Sequence, residues 1–70
     1  MHIVPNEIPV ESRTWEPIDA VLVPESVQVA IKTILAQDWR SKKAAAVKFA
    51  DGTCYMGFKQ NGRMCFGIAL

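Results

Sequence analysis

The sequence predicts an α+β fold: one helix packed on a three- to four-stranded antiparallel sheet, with an extended N-terminal arm. Three observations predict it. The stretch from Ala44 to Leu70 holds three short apolar runs separated by Asp51-Gly52 and Asn61-Gly62. Both dipeptides adopt the positive φ values that tight hairpin reversals require, so the stretch reads as a β-meander. Residues 24–39 carry apolar side chains at helical spacing. Before them, Pro5, Pro9 and Pro17 break any helical period, because proline lacks a backbone donor and disfavours helix in the residue before it.

In chain order, residues 1–17 form the arm, with Ile3-Val4 and Ile8-Val10 as short edge strands or extended segments. Trp15 is its one large aromatic, read either as a plug at the core edge or as a binding anchor. Residues 18–23 (IDAVLV) are β-branched and end at Pro24, which predicts a strand. In the predicted helix 24–39, Pro24 and Glu25 suit a first turn, where a missing N–H costs nothing and a carboxylate meets the helix dipole favourably. Val27, Ala30, Ile31, Ile34 and Leu35 make the amphipathic stripe. Val27, Val29, Ile31, Thr33 and Leu35 also alternate as in a strand, but the length and the Ala-Gln-Asp ending favour helix. Arg40, Lys42 and Lys43 then set cations at the helix C-terminus, where the dipole favours them.

The meander 44–70 has a register that can be read by parity, because successive strand side chains alternate between faces. A two-residue Asp51-Gly52 loop pairs Phe49 with Cys54 and Val47 with Met56. A three-residue Gln60–Gly62 loop with a bulge at Gly62 then sets Met64 opposite Phe58 and Phe66 opposite Met56. The bulky residues thus share the face that the helix covers. The other face collects small residues with Lys48, Tyr55, Lys59 and Arg63, and lies open or under the arm or another subunit. Cys54 and Cys65 fall on opposite faces, which leaves no route to a disulfide between them.

Length and charge bound the function. Seventy residues, half of them hydrophobic, make a single folded domain over 1–70. A core of this size supplies roughly 3–5 kcal/mol, which favours self-association. No apolar run approaches the ~18 residues of a membrane span and no secretion leader precedes the domain, so a soluble cytoplasmic protein is expected. The net charge of +1 is unevenly placed. Residues 1–26 hold five carboxylates against Arg13, a net −4, while 27–70 hold seven cations against Asp38 and Asp51, a net +5. The acidic arm is expected to lie against the basic half of its own domain.

No residues are spaced for a named chemistry. The single histidine is His2, both cysteines lie inside strands, and no serine sits in an elbow-type glycine context. Zinc spacings and a Gly-rich phosphate loop are absent, and the carboxylates are scattered. The expectation is a non-enzyme with no catalytic residue, metal or cofactor. The leading function is a small protein-protein interaction module that regulates or inhibits a larger protein partner. Its candidate partner-binding residues are Trp15, Lys48, Tyr55, Lys59, Arg63, Phe66, Ile68 and Leu70. Phe66–Leu70 forms an apolar edge that a homodimer would bury. The alternative is nucleic-acid binding by Arg40, Lys42, Lys43, Lys48, Lys59 and Arg63 with Tyr55 as a stacking ring, and a second is a structural subunit of an assembly. In plan alone, the helix and meander are similar to many small proteins, phage- and mobile-element-encoded inhibitors among them.

Overall fold

Proline opens the helix as expected. Pro24 O accepts the backbone N–H of Val27 at 3.0 Å and of Gln28 at 3.1 Å, and α1 runs from Glu25 to Gln37. This is a computed structural model, and it describes residues 6–37 and 43–69. The readings that fall on His2, Trp39, Arg40, Lys42 and Leu70 lie outside the described residues. Val27, Ala30, Ile31 and Leu35 are buried, so the 3.6-residue stripe rather than the period-two alternation governs this segment.

The helix packs on an antiparallel sheet of five strands, one more than the upper expectation: β1 (Asn6–Ile8), β2 (Glu16–Ile18), β3 (Ala44–Lys48), β4 (Cys54–Gln60) and β5 (Arg63–Ala69). Their spatial order is β1-β3-β4-β5-β2. The meander forms the middle, and the two arm strands close its edges. β5 is therefore not the open apolar edge expected from the sequence. Glu16, Pro17 and Ile18 lie opposite Ile68, Gly67 and Phe66. The strand expected over 18–23 is also corrected: only Ile18 belongs to β2, and Ala20–Leu22 form a 3-10 turn. The chain must leave the sheet plane here to reach a helix layer about 10 Å above it, so the strand cannot continue.

The register of the meander differs from expectation at both turns. The first loop is the longer one. Phe49 N–H donates to Thr53 O at 2.8 Å, leaving Ala50–Gly52 as a three-residue loop with Gly52 at φ +92°. Asp51 Oδ1 accepts the backbone N–H of Thr53 at 2.9 Å, an Asx turn that leaves only the glycine left-handed. The second turn is the two-residue one, with Asn61 at φ +53° and Gly62 at φ +76° between the paired Gln60 and Arg63. That is the type I′ geometry Asn-Gly favours.

The exchange of loop lengths reassigns the faces. Val47, Tyr55 and Ile68 stand in one row, and Ala45, Gly57 and Phe66 in the next. These rows face α1 in one core with Val23, Val27, Ala30, Ile31 and Leu35. Ala45 and Gly57 are the seat for the helix: a Cβ at Gly57 would lie 2.5 Å from Ile31 Cγ2. The remaining buried side chains, Ala46, Cys54, Met56 and Ala69, all point to the opposite face and join no part of that core.

The arm covers this second face. β1 and β2 lie on opposite edges, four strand spacings or ~19 Å apart. Their connection through Pro9–Trp15 must therefore cross the sheet. It crosses where Ala46 is fully buried, and its half-buried Val10 and Trp15 stay outside the helix-side core. Trp15 Nε1 donates to Val10 O at 2.6 Å, folding the connection back on itself. Cys54 and Cys65 share this face rather than lying on opposite ones, and both are free thiols. Cys65 stands opposite Phe58, four residues along β4 from Cys54, which separates the pair by about 14 Å, too far for a bridge.

Candidate interaction surface

The structure disperses the residues singled out in the sequence. Trp15 is half-buried and bonded within its own arm. Phe66 is buried, and Ile68 packs against the helix-side core. Lys48, Lys59 and Arg63 are exposed, but Lys48 and Arg63 belong to the arm-side rows and Lys59 to the helix-side rows. Tyr55 is only 7 % exposed and faces α1, so it cannot be a stacking ring on a basic face. Its phenol is pushed above its ordinary pKa by burial first and by the nearby charge of Asp51 second. Its hydroxyl still reaches solvent: it makes no hydrogen bond to a described residue, and no fully buried side-chain polar atom among the described residues lacks a partner.

Lys43 is exposed and lines a cleft of about 590 Å³ together with Glu7, Glu11 and Pro9–Val10 of the arm. Carboxylates of the acidic arm and a cation of the basic half meet there. Among the described residues, no group of three or more His, Cys, Asp or Glu side chains is placed to hold a metal ion. No described helix is long and apolar enough to cross a membrane.

The feature that stands out was not singled out in the sequence. Val21 is 87 % exposed, Leu22 66 % and Val29 56 %, the large hydrophobic side chains most open to solvent among the described residues. Val21 and Leu22 lie on the 3-10 turn between β2 and α1, and that turn is closed by two backbone bonds. Leu22 N–H donates to Asp19 O at 2.9 Å, and Val23 N–H donates to Ala20 O at 3.0 Å. Gln28, one turn into the helix, adds a clasp. Its Nε2 donates to Ala20 O at 2.7 Å and to Val23 O at 3.1 Å. Val23 itself is buried in the core, so the turn is pinned at its base and from the helix.

No family model, curated protein or solved structure matches this chain. The surface is therefore read from its own chemistry. Its apolar pair is bracketed by Asp19 and Glu25, both exposed and neither in an ion pair with a described residue. The helix adds Val29, which falls off the buried stripe. That was the one signal legible beforehand, since a valine outside the stripe has no core to enter. Val21 and Leu22 were hidden by the expectation of a strand over 18–23, which buries every second residue.

Proposed function

We propose that this protein is a small non-enzymatic protein-binding module that regulates a larger partner, and that the Val21–Leu22 turn with Val29 is its contact surface. The observation that carries this reading is the Gln28 clasp, which holds two large apolar side chains out in solvent in one conformation. Burying a valine or leucine side chain is worth about 1.5–3 kcal/mol each. A turn that is already ordered loses little further entropy when it docks. The fitting partner offers an apolar recess edged by Lys or Arg to meet Asp19 and Glu25. Pairing through a sheet edge fits less well, because β1 and β2 are three residues each and Pro17 lacks a backbone donor.

The test is photo-crosslinking from position 22, with a crosslinker at the exposed Gln60 at the end of β4 as control, followed by affinity capture with the Leu22→Asp variant. A single protein crosslinked from position 22, absent from the control and lost with Leu22→Asp at unchanged melting temperature, is the expected result. An identical captured set for wild type and Leu22→Asp would overturn the reading.

A further inference from the structure

Val29 does not stand alone on the outer side of α1. Glu25, Val29, Lys32 and Ala36 are all exposed and recur at spacings of four, three and four residues. The helical pitch places them within an arc of about 60°, on the side away from the buried Val27, Ala30, Ile31 and Leu35. The helix thus carries a second stripe that its own chain leaves uncovered. Glu25 and Lys32 stand about 10 Å apart along the axis with Val29 between them. Neither makes an ion pair with a described residue.

We propose that a second copy of this chain covers this face, in a two-fold dimer that packs α1 antiparallel against α1. The proposal rests on the reading of this surface as a protein contact, and it names an occupant that competes there with the larger partner. The order acid, valine, base decides both the occupant and its direction. In a parallel pair Glu25 would face Glu25 and Lys32 would face Lys32, and like charges repel. In an antiparallel pair with its two-fold axis beside Val29, each Glu25 meets Lys32 of the second copy, and the two Val29 side chains meet at the centre. The Gln28 clasp holds the Val21–Leu22 turn beside the first turn of α1. Antiparallel packing carries that turn toward the C-terminal half of the other helix, where Ala36 is exposed and small enough to leave room. The helix has 13 residues and is about 20 Å long, so the contact is small and the dimer is weak, in the micromolar range. By mass action it covers the apolar turn in concentrated protein and gives way to a better-fitting partner on dilution.

The experiment is sedimentation equilibrium of the full chain from about 1 µM to 1 mM, a range that spans weak affinities. Wild type should form dimers within it. Glu25→Lys and Lys32→Glu should each weaken the dimer about tenfold, because both ion pairs become repulsions. An equimolar mixture of those two variants should dimerise more tightly than either alone, since every charged contact across the mixed pair joins opposite signs. A folding fault in either variant would not give that rescue, and circular dichroism checks that each stays folded. A chain that stays monomeric throughout, variants that dimerise as wild type does, or a mixture no tighter than its components overturns the proposal. Capture of a different protein from position 22 is a separate readout: it stands if the dimer fails, and its loss leaves the charge-swap result intact.

Discussion

Replacing Gln28 by methionine keeps the length of the side chain and removes both donors of the clasp. Two hydrogen bonds are lost, at 2.7 Å to Ala20 O and 3.1 Å to Val23 O. A typical intramolecular bond contributes about 0.5–1.5 kcal/mol net. Ala20 O keeps its bond from Val23 N–H, so no carbonyl there is orphaned and the first loss lies at the low end. The sum is about 1–2 kcal/mol, which is a sizeable share of the roughly 3–5 kcal/mol that a core of this size supplies. The loss acts where the bonds are made. In native-state hydrogen exchange, the Leu22 and Val23 amides report opening of the turn, because their bonds to Asp19 O and Ala20 O close it. Their exchange should accelerate about five- to thirtyfold, since 1.4 kcal/mol is a factor of ten. Amides at the centre of α1 should change less where they open through a separate, sub-global event. Partner capture should weaken by a smaller factor than with Leu22→Asp, because Gln28→Met leaves the contacting side chains in place. Unchanged exchange at Leu22 and Val23 would refute the reasoning, and the turn would then be held by its backbone alone.

Two further outcomes follow from the core. Gly57→Ala sets a methyl 2.5 Å from Ile31 Cγ2 and 3.3 Å from Phe66 Cε1, closer than the ~3.5–4.0 Å of carbon contact, and should cost about 1–3 kcal/mol in urea unfolding. Ile31→Ala costs about 2–5 kcal/mol alone, and the double variant should cost less than the sum, whereas strict additivity would show that the helix does not rest on Gly57. Tyr55 is the chain's single tyrosine, so tyrosinate absorbance titrates it directly. Its raised pKa means that the folded state holds the proton more tightly than the unfolded chain. The stability this contributes is complete below about pH 10 and is lost as pH rises through the raised value. Tyr55→Phe should flatten that alkaline loss, and Asp51→Asn should move the titration back toward the ordinary phenol. A titration unmoved by Asp51→Asn would remove the carboxylate as a cause.

Only local choices could be read from the chain without its fold. The helix was legible because one stripe of apolar residues and one proline-led first turn sufficed. The three meander strands were legible because Asn-Gly and Asp-Gly state their backbone preferences within two residues. Which of the two turns takes the third loop residue was not legible, since either dipeptide serves either loop. That choice rests on an Asx bond at Asp51 and on a sheet with two covered faces rather than one. Assuming a single core placed the bulky residues together and left Tyr55 outside; the arm's crossover supplies a second cover and lets the bulky residues divide. The three-residue edge strands carry no periodicity of their own and exist because β3 and β5 present unpaired backbone groups. The candidate surface belongs to the same class. Val21 and Leu22 are exposed because the chain must climb from sheet to helix within a few residues.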